Sequence, residues 1–187
     1  MEYNKYKKKG AIHWSWYSSN HRNIGYKVLV NESIKYLSGG GTVIDIGCGD
    51  GLPSYLLAKK GFKVTGIEPE MSGLDIARDK LNGLDFIGYQ ATIEDFVKNN
   101  DQTFDYLYSL NTIEHIDDEN AFVEMMKRIK HFGIVVTDNA SGKKHPTHTK
   151  EYNIDSLKEL FKDFKTEQIY FSDEWTNKNF IGLKIYG

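Results

Sequence analysis

A short apolar run followed by alternating glycines constrains the fold of this chain more than any other feature. The run, Val43–Ile46, is typical of a strand that is buried in a parallel sheet. Gly47, Gly49 and Gly51 follow at alternate positions, so the backbone can turn sharply and a ligand can lie directly against it. Pro53 then suits the first turn of a helix, where no N–H donor is needed. The stretch predicts a strand, a ligand-binding loop and a helix at the carboxyl edge of a sheet.

The residues around these glycines narrow the kind of ligand. Leu52 stands at the sixth position, where a dinucleotide-binding fingerprint has its third glycine. Asp45 places a carboxylate just before the turn, which makes it a poor neighbour for a diphosphate. Leu52 therefore argues against a nicotinamide-dependent oxidoreductase, and the two residues together favour a ligand without phosphate that carries an amine or a sulfonium.

Residues 43–51, Val-Ile-Asp-Ile-Gly-Cys-Gly-Asp-Gly, resemble the first motif of the class I S-adenosylmethionine (SAM) dependent methyltransferases. The resemblance implies an enzyme that uses SAM and releases S-adenosylhomocysteine. It also implies that the wall facing the methionine part of SAM includes Asp45, Gly47, Cys48 and Gly49. A protein that binds SAM without catalysis is the alternative.

Later positions extend the expected cofactor site. Glu68, followed by Pro69, comes about twenty residues after the glycine turn, where a carboxylate can accept hydrogen bonds from both ribose hydroxyls. Thr92 and Ile93 stand at the adenine-facing positions of the resembled family, which often has Asp in place of Thr92. Ser109 ends the fourth predicted strand, and Asn111 follows just beyond it. We expect both residues to lie near the methionine moiety or the methyl acceptor.

The order of the predicted elements indicates an α/β fold. Alternating strands and helices imply a doubly wound sheet, with the ligand outside the carboxyl ends of its strands. The resembled family implies a Rossmann-like sheet of seven strands, mostly parallel with an antiparallel last strand, and an N-terminal helix is added here. Strands are predicted over residues 43–46, 63–68, 84–88, 104–109, 132–137, 166–171 and 180–186, and the first helices over 20–37 and 53–60. Residues 173–179 would join the last two strands and carry Trp175 to a surface.

Composition limits where the protein acts and on what. The formal net charge of −2 gives no global attraction to nucleic acid or to an anionic membrane. The single cysteine, Cys48, cannot form an intramolecular disulfide and favours a reducing compartment. No stretch approaches the roughly 20 apolar residues of a membrane span, and the basic N-terminus lacks the apolar segment of a signal peptide. We predict one cytoplasmic methyltransferase domain over residues 1–187, with a small-molecule substrate and no membrane partner; nucleic acid is not favoured.

Two polar or aromatic segments are candidates for contact with the methyl acceptor. Residues 1–19 concentrate lysines, Trp14, Trp16 and Tyr17, and such rings either bury or line a site. In the resembled family the segment before the first strand often closes over the cofactor, so residues 1–19 are expected to form a lid or to pack plainly on the domain. The substrate candidates are Trp14 and, in a basic loop predicted over 138–152, His145.

Methyl transfer from SAM needs few catalytic groups in the protein, because SAM is already an activated methyl donor. The site must hold the acceptor in line with the methyl group, and it needs a base only if the acceptor loses a proton. His115 and His148 are the candidate catalytic residues, and no metal is expected. An RNA ribose methyltransferase that uses Glu114, His115 and His148 stays open as an alternative, because this carboxylate and the two imidazoles could hold a divalent metal. The small-RNA 3′-end ribose methyltransferases have a site resembling this one, with a further Glu where Asn111 stands here.

Overall fold

A seven-stranded sheet organises the computed structural model, which describes residues 4–19, 24–140 and 146–187. The strands in these ranges are β1 Gly41–Ile46, β2 Phe62–Ile67, β3 Phe86–Tyr89, β4 Phe104–Leu110, β5 Ile129–Asp138, β6 Thr166–Ile169 and β7 Phe180–Tyr186. The helices are α1 Lys5–Lys9, α2 Ile12–Ser18, α3 Ile24–Ile34, α4 Leu52–Lys59, α5 Met71–Lys80, α6 Ile93–Asn99, α7 Asn120–Met126, α8 Ile154–Leu160 and α9 Glu174–Asn179, with a 3₁₀ turn at Ile113–His115.

The strand order places a cleft beside β1. The order is β3-β2-β1-β4-β5-β7-β6, in which β7 runs antiparallel to both of its neighbours and the other pairs are parallel. The predicted doubly wound sheet with an antiparallel last strand is confirmed. The chain moves outward from β1 through β2 to β3 and then returns to β4, so the order reverses between β1 and β4. Ligands of doubly wound sheets bind at such a switch point, outside the carboxyl ends of the strands.

Apolar residues cover both faces of the central strands. Val43 and Ile44 are both fully buried, but they belong to different clusters because successive side chains of a strand point to opposite faces. Val43 packs in a cluster with Leu29 of α3, whereas Ile44 packs in one with Phe122 of α7. Because apolar clusters pack on both faces of β1, its sequence is a continuous apolar run and not an alternation of apolar and polar residues.

Several element boundaries differ from the sequence prediction. Strand β3 is Phe86–Tyr89 and not 84–88, β5 is Ile129–Asp138 and not 132–137, and β6 ends at Ile169 and not at residue 171. The helix predicted over residues 20–37 is described from Ile24 onward and ends at Ile34, where the Lys60 ammonium donates hydrogen bonds to the Ile34 and Leu37 carbonyls. The connection at 173–179 contains the short helix α9, because the Asp173 side chain accepts a hydrogen bond from the backbone N–H of Thr176 and caps it. Trp175 on this helix is 56% exposed, in agreement with its predicted place at a surface. In the described part of the chain, no helix combines the length and the apolar character needed to cross a membrane.

Gly51 offers a test of how tightly α4 and α5 pack. Its φ is +81°, and a Cβ atom there would lie 2.7 Å from Cβ of Ala77 and 2.8 Å from Cδ1 of Leu81. Gly83 has a φ of +82° with nothing within 4 Å of such an atom. We expect Gly83→Ala to cost about 1–2 kcal/mol from backbone strain alone. Gly51→Ala should cost about 1–3 kcal/mol more because it adds overpacking.

Urea unfolding of the two variants and the parent measures this difference. Equal losses of the free energy of unfolding for Gly51→Ala and Gly83→Ala would contradict the close packing of Gly51.

Candidate active site

A cavity of about 700 Å³ lies at the switch point between β1 and β4. Its walls come from the N-terminal helices, from the loops that follow β1, β2, β3 and β4, and from the segment around Thr147 and His148. The carboxyl ends of β1 and β4 are neighbours because Ile46 pairs with Ser109. The cavity therefore occupies the position that the glycine motif and the predicted sheet required for a ligand.

The glycine loop forms the floor of this cavity. Backbone N–H groups of Gly47 and Cys48 donate to the Ile67 carbonyl at 2.9 and 3.0 Å, which holds the loop against the end of β2. A Cβ atom on Gly47 would lie 2.2 Å from Oγ1 of Thr112. Gly49 lies beneath Tyr6, whose hydroxyl would be 2.1 Å from such an atom. Of the predicted loop residues, Gly47 and Cys48 line the cavity, and Gly49 is covered by Tyr6.

Asp45 places a buried acid at the base of the loop. Its side chain lines the cavity and is 1% exposed, and Ser54 Oγ donates a hydrogen bond to it at 2.6 Å. Burial raises the pKa of Asp45 to about 7, more than the Ser54 hydrogen bond lowers it, and the nearby Glu68 raises it further. A carboxylate in this setting gains from a cationic ligand group, since such a group would offset its desolvation.

Glu68 joins two loops across the cavity wall. Its carboxylate accepts hydrogen bonds from the backbone N–H of Gly49 at 3.0 Å and of Glu70 at 2.9 Å. Burial nevertheless raises the pKa of Glu68 to about 7. A carboxylate has about four lone-pair positions, so two remain for other donors. Glu68 thus lines the cavity, and part of its hydrogen-bonding capacity already holds the two loops.

Residues 4–19, here called the cover, pack on the loops after β1 and β2 and form part of the cavity wall. The Glu70 carboxylate accepts backbone hydrogen bonds from Lys5, Tyr6 and Lys7 at 3.0, 2.8 and 3.2 Å. A second anchor is Asp50, whose carboxylate lies 2.8 Å from the backbone nitrogen of His13 and 3.0 Å from its Nδ1. The cover is therefore attached to the loops after β1 and β2, and it places lysine and aromatic side chains in the cavity wall.

The two substrate candidates from the sequence have different outcomes. Trp14 lies on the cover but not in the cavity wall: its indole N–H donates to the Asp50 carbonyl at 2.8 Å, and its ring packs edge-on against Tyr55. The structure gives Trp14 the role of fixing the cover to the glycine loop. His145 lies outside the described residues.

The adenine-facing candidates line the cavity on the far side of Glu68. Thr92 Oγ1 accepts the backbone N–H of Asp95 at 3.2 Å, so the hydroxyl caps α6. Ile93 is 3% exposed and presents an apolar surface, and Pro69 lines the same cavity. All three residues therefore line the same cavity, and Ile93 and Pro69 contribute apolar surface to it.

Asn111 and Ser109, at the end of β4, lie in different surroundings. Asn111 lines the cavity with φ at 51°, and its Oδ1 is buried without a hydrogen-bond partner among the described residues. The Ser109 hydroxyl donates to the Ile46 carbonyl at 3.1 Å and is not part of the cavity wall. Asn111 can therefore contact a ligand, while Ser109 links β4 to β1.

The opposite end of the cavity brings together residues that are distant in the chain. His115 and His148 have ring centroids 4.9 Å apart, and Glu114 lies beside them. The Glu114 side chain is 1% exposed and accepts a hydrogen bond from Thr137 Oγ1 at 2.7 Å. Burial raises the pKa of Glu114 to about 7 and lowers the pKa of His115. This end, called the histidine end below, contains Glu114 and the two predicted catalytic histidines.

Three cavity residues carried no functional signal in the sequence. Tyr26 of α3 lines the wall, and its ring stacks on that of His13. Glu70 accepts hydrogen bonds from the cover, and Thr112 packs against Gly47. Their roles follow from contacts between separate loops, so no local pattern marks them. Glu70 stands two residues after Glu68, and this short spacing is the feature of the sequence that comes closest to indicating a role for Glu70 in the site.

A comparison with models of protein families identifies the family of this chain. Residues 44–137, half of the chain, match the family model described as a methyltransferase domain. The chain belongs to this methyltransferase family. The predicted class I SAM-dependent methyltransferase, with SAM as cofactor, is therefore confirmed.

Curated relatives of this methyltransferase match only part of its length. Ubiquinone biosynthesis O-methyltransferase of Actinobacillus pleuropneumoniae serotype 7 is 36% identical over 96 residues, which cover 48% of this chain and 41% of that protein. The protein of the same name from Rickettsia conorii is 34% identical over 97 residues, covering 50% and 33%. The matched segment thus spans less than half of these relatives.

Solved structures share the fold over nearly the whole chain. Magnesium protoporphyrin IX methyltransferase from Synechocystis PCC 6803 with bound SAM superimposes with a TM-score of 0.69 at 16% identity, covering 97% of this chain and 92% of that one. A SAM-dependent methyltransferase from Aquifex aeolicus gives 0.67 at 20% identity, covering 87% and 89%. At these identities the similarity concerns the fold.

The buried acid Asp45 predicts a pH-dependent cost of folding. Its folded pKa of about 7 lies above the unfolded value, so its contribution to stability is present in acid and is lost as the pH rises through about 7. Asp45→Asn keeps an acceptor for Ser54 and carries no charge. We expect it to raise the free energy of unfolding by about 1–3 kcal/mol near pH 8, and by almost nothing near pH 4.

Urea unfolding of the ligand-free protein at both pH values measures this gain. Asp79→Asn, at an exposed position on α5, is the matched control and should give no gain at either pH. A stabilisation by Asp45→Asn that is the same at both pH values would contradict the prediction.

The anchor at Asp50 predicts how firmly the cover is held. Asp50→Ala removes the acceptor of two hydrogen bonds from His13, and each such bond to a charged group is worth about 1.5–3 kcal/mol. We expect trypsin to cleave at the lysines of the cover at least about 10-fold faster in this variant, because cleavage follows local opening.

The matched control is Asp75→Ala, which removes an exposed carboxylate from an ion pair with Arg78. Limited proteolysis followed by mass spectrometry gives the cleavage rates, and a thermal melt confirms that Asp50→Ala is folded. Equal cleavage of the parent and Asp50→Ala would show that this anchor does not hold the cover.

Proposed function

We propose that this methyltransferase transfers the methyl group of SAM to a hydroxyl oxygen of a small molecule. The observation that carries the proposal is one continuous cavity, which joins the glycine loop and Glu68 to the histidine end. The curated relatives named as O-methyltransferases support oxygen as the acceptor atom. The expectations of one domain over residues 1–187 and of a cytoplasmic location belong to this proposal.

The cofactor end of the cavity fits SAM in shape and charge. Thr112 fills the space that a Cβ atom at Gly47 would need, so the close approach of these two segments requires a glycine there. Gly47 and Cys48 also line the cavity, where the glycine loop offers backbone to a ligand. Asp45 offers a carboxylate to the amino group, Glu68 offers its remaining lone pairs to the ribose hydroxyls, and Ile93 supplies an apolar surface for adenine. SAM, when bound there, supplies an activated methyl group on a sulfonium.

The histidine end receives the acceptor. His115, His148 and Glu114 lie close together in the cavity wall, and Asn111, the residue after β4, lines the same cavity. These residues orient the hydroxyl, and the imidazole of His115, whose Nδ1 donates to the Thr147 carbonyl, accepts its proton on the other ring nitrogen. The acceptor oxygen then bonds to the methyl carbon as the carbon–sulfur bond breaks, and the electron pair of that bond stays on sulfur.

The binding half of the proposal predicts the effect of removing Glu68. By calorimetry, Glu68→Ala should weaken S-adenosylhomocysteine by about 1–3 kcal/mol, because a buried hydrogen-bond acceptor for the ribose is lost. Glu124→Ala, an exposed acid that pairs with Lys127 on α7, is the control and should leave the affinity unchanged. Unchanged affinity in Glu68→Ala would remove Glu68 from the site, and binding of NAD in place of S-adenosylhomocysteine would overturn the proposal.

The catalytic half is tested with SAM carrying a tritiated methyl group. Phenols, aliphatic alcohols, amines and short RNA are offered as acceptors, and the products are identified by mass spectrometry. The proposal expects label in an O-methyl ether of a phenol or an alcohol. Label in RNA alone would replace the small-molecule acceptor with a ribose hydroxyl, and bound SAM without transfer to anything in a cell extract would indicate a binding protein.

A further inference from the structure

We propose that the ammonium group of Lys5, on the cover, binds an anionic group of the methyl acceptor, a carboxylate or a phosphate. Lys5 belongs to α1 and lines the cavity, as do Lys8 and Lys9 of the same helix. The inference rests on the proposed function, because it adds a property to the acceptor named there. The acceptor is then a small molecule that carries a hydroxyl group and a negative charge.

A chain of hydrogen bonds fixes the Lys5 ammonium in the cavity wall. Burial lowers the pKa of His13, so its ring is neutral, and its Nδ1 donates to Oδ1 of Asp50 at 3.0 Å. Nε2 of His13 is therefore an acceptor, and the Lys5 ammonium donates to it at 3.0 Å. The ammonium also lies 5.3 and 5.8 Å from the ring centroids of Tyr6 and Trp16. These contacts hold the cation in place before a ligand binds.

The ammonium of Lys5 keeps donors for a ligand. An ammonium has three N–H donors, and His13 is the one hydrogen-bond partner of this group among the described residues. Asp50, Glu68 and Glu70 stabilise its charge only at longer range, and each of them already accepts hydrogen bonds from backbone N–H groups. Two N–H donors of Lys5 are therefore left for an anion.

The surroundings of Lys5 make an anion favourable there. Its side chain is exposed to the cavity, so a ligand can reach it. The protein around it nevertheless desolvates the ammonium and lowers its pKa. A carboxylate or a phosphate in the cavity would offset this desolvation, and a hydrogen bond between two charged groups is stronger than one between neutral groups.

The position of Lys5 favours the acceptor over SAM as the source of the anion. The positive charge of Lys5 lowers the pKa of Glu68 and also that of His115, so it acts on the cofactor end and on the histidine end of the cavity. The carboxylate of SAM is expected beside Asp45 and the glycine loop, because it shares a carbon atom with the amino group assigned to Asp45. An anion at Lys5 belongs instead to the molecule that extends from the histidine end.

Anion binding is measured by calorimetry on the full chain saturated with S-adenosylhomocysteine. The probes are inorganic phosphate, 3-hydroxybenzoate and the uncharged 3-hydroxybenzamide. The parent should bind the anions, and Lys5→Met should weaken them by about 10-fold or more. Lys7→Met is the matched control, because Lys7 lies on the same helix but not in the cavity wall. Both variants keep the backbone hydrogen bonds to Glu70, and Lys7→Met should bind like the parent.

A second measurement follows the natural acceptor. The small-molecule fraction of a cell extract is incubated with SAM that carries a tritiated methyl group, and the products pass over an anion exchanger at pH 8. The labelled product should be retained, and its rate of formation should fall about 10-fold or more in Lys5→Met but not in Lys7→Met. Label that leaves the column with the neutral compounds would overturn the inference and leave the proposed function intact.

The affinity for S-adenosylhomocysteine separates the two sources of a carboxylate. Lys5→Met should leave this affinity unchanged. A loss for S-adenosylhomocysteine that is absent for its decarboxylated analogue would assign Lys5 to the cofactor and overturn its role toward the acceptor. Equal anion binding by the parent and Lys5→Met, or no anion binding by the parent, would also overturn it. Anion binding that depends on Lys5, without methyl transfer to any acceptor, would overturn the proposed function and leave the anion site standing.

Discussion

The carboxylate of Glu68 is the interaction on which the rest of the site depends. It lies just after β2 and accepts backbone hydrogen bonds from Gly49 on one side and Glu70 on the other. Gly49 belongs to the loop after β1, and Glu70 precedes α5 and holds the start of the cover. One buried side chain therefore fixes the relative positions of two loops and, through Glu70, of the N-terminal segment. Without it, two buried N–H groups would lose their acceptor, which is expensive inside a protein.

Buried acids make the unliganded site unfavourable for folding and suitable for binding. Burial raises the pKa values of Asp45, Glu68 and Glu114 to about 7, and each acid lies in the wall of the same cavity. Natural proteins tolerate such groups mainly where function needs them. A ligand that brings a cation or hydroxyl donors to these carboxylates offsets their desolvation, so occupancy of the cavity should stabilise the fold by mass action.

Much of the fold was predictable because its signals are local. The strand, glycine loop and helix around Gly47 follow from residues that are adjacent in the chain, and so do the separate strands of the sheet. The short helix α9 was missed because its cap, Asp173, lies in a segment without an apolar period. Of the predicted site residues that the structure describes, Gly49, Ser109 and Trp14 lie outside the cavity wall. Tyr6 covers Gly49, and the polar atoms of Ser109 and Trp14 bond to the backbone of Ile46 and Asp50. The ribose role of Glu68 stays a prediction.

The sequence by itself determined the family, the cofactor and the strand–loop–helix unit that faces it, because these depend on a contiguous pattern of residue types. Only the tertiary structure decided that His148 meets Glu114 and His115, that Thr112 closes on Gly47, and that the cover rests on Asp50 and Glu70. The physical reason is the strand order. It sets which loops become neighbours at the carboxyl edge of the sheet, and pairs of residues so far apart in the chain leave no mark in a local pattern.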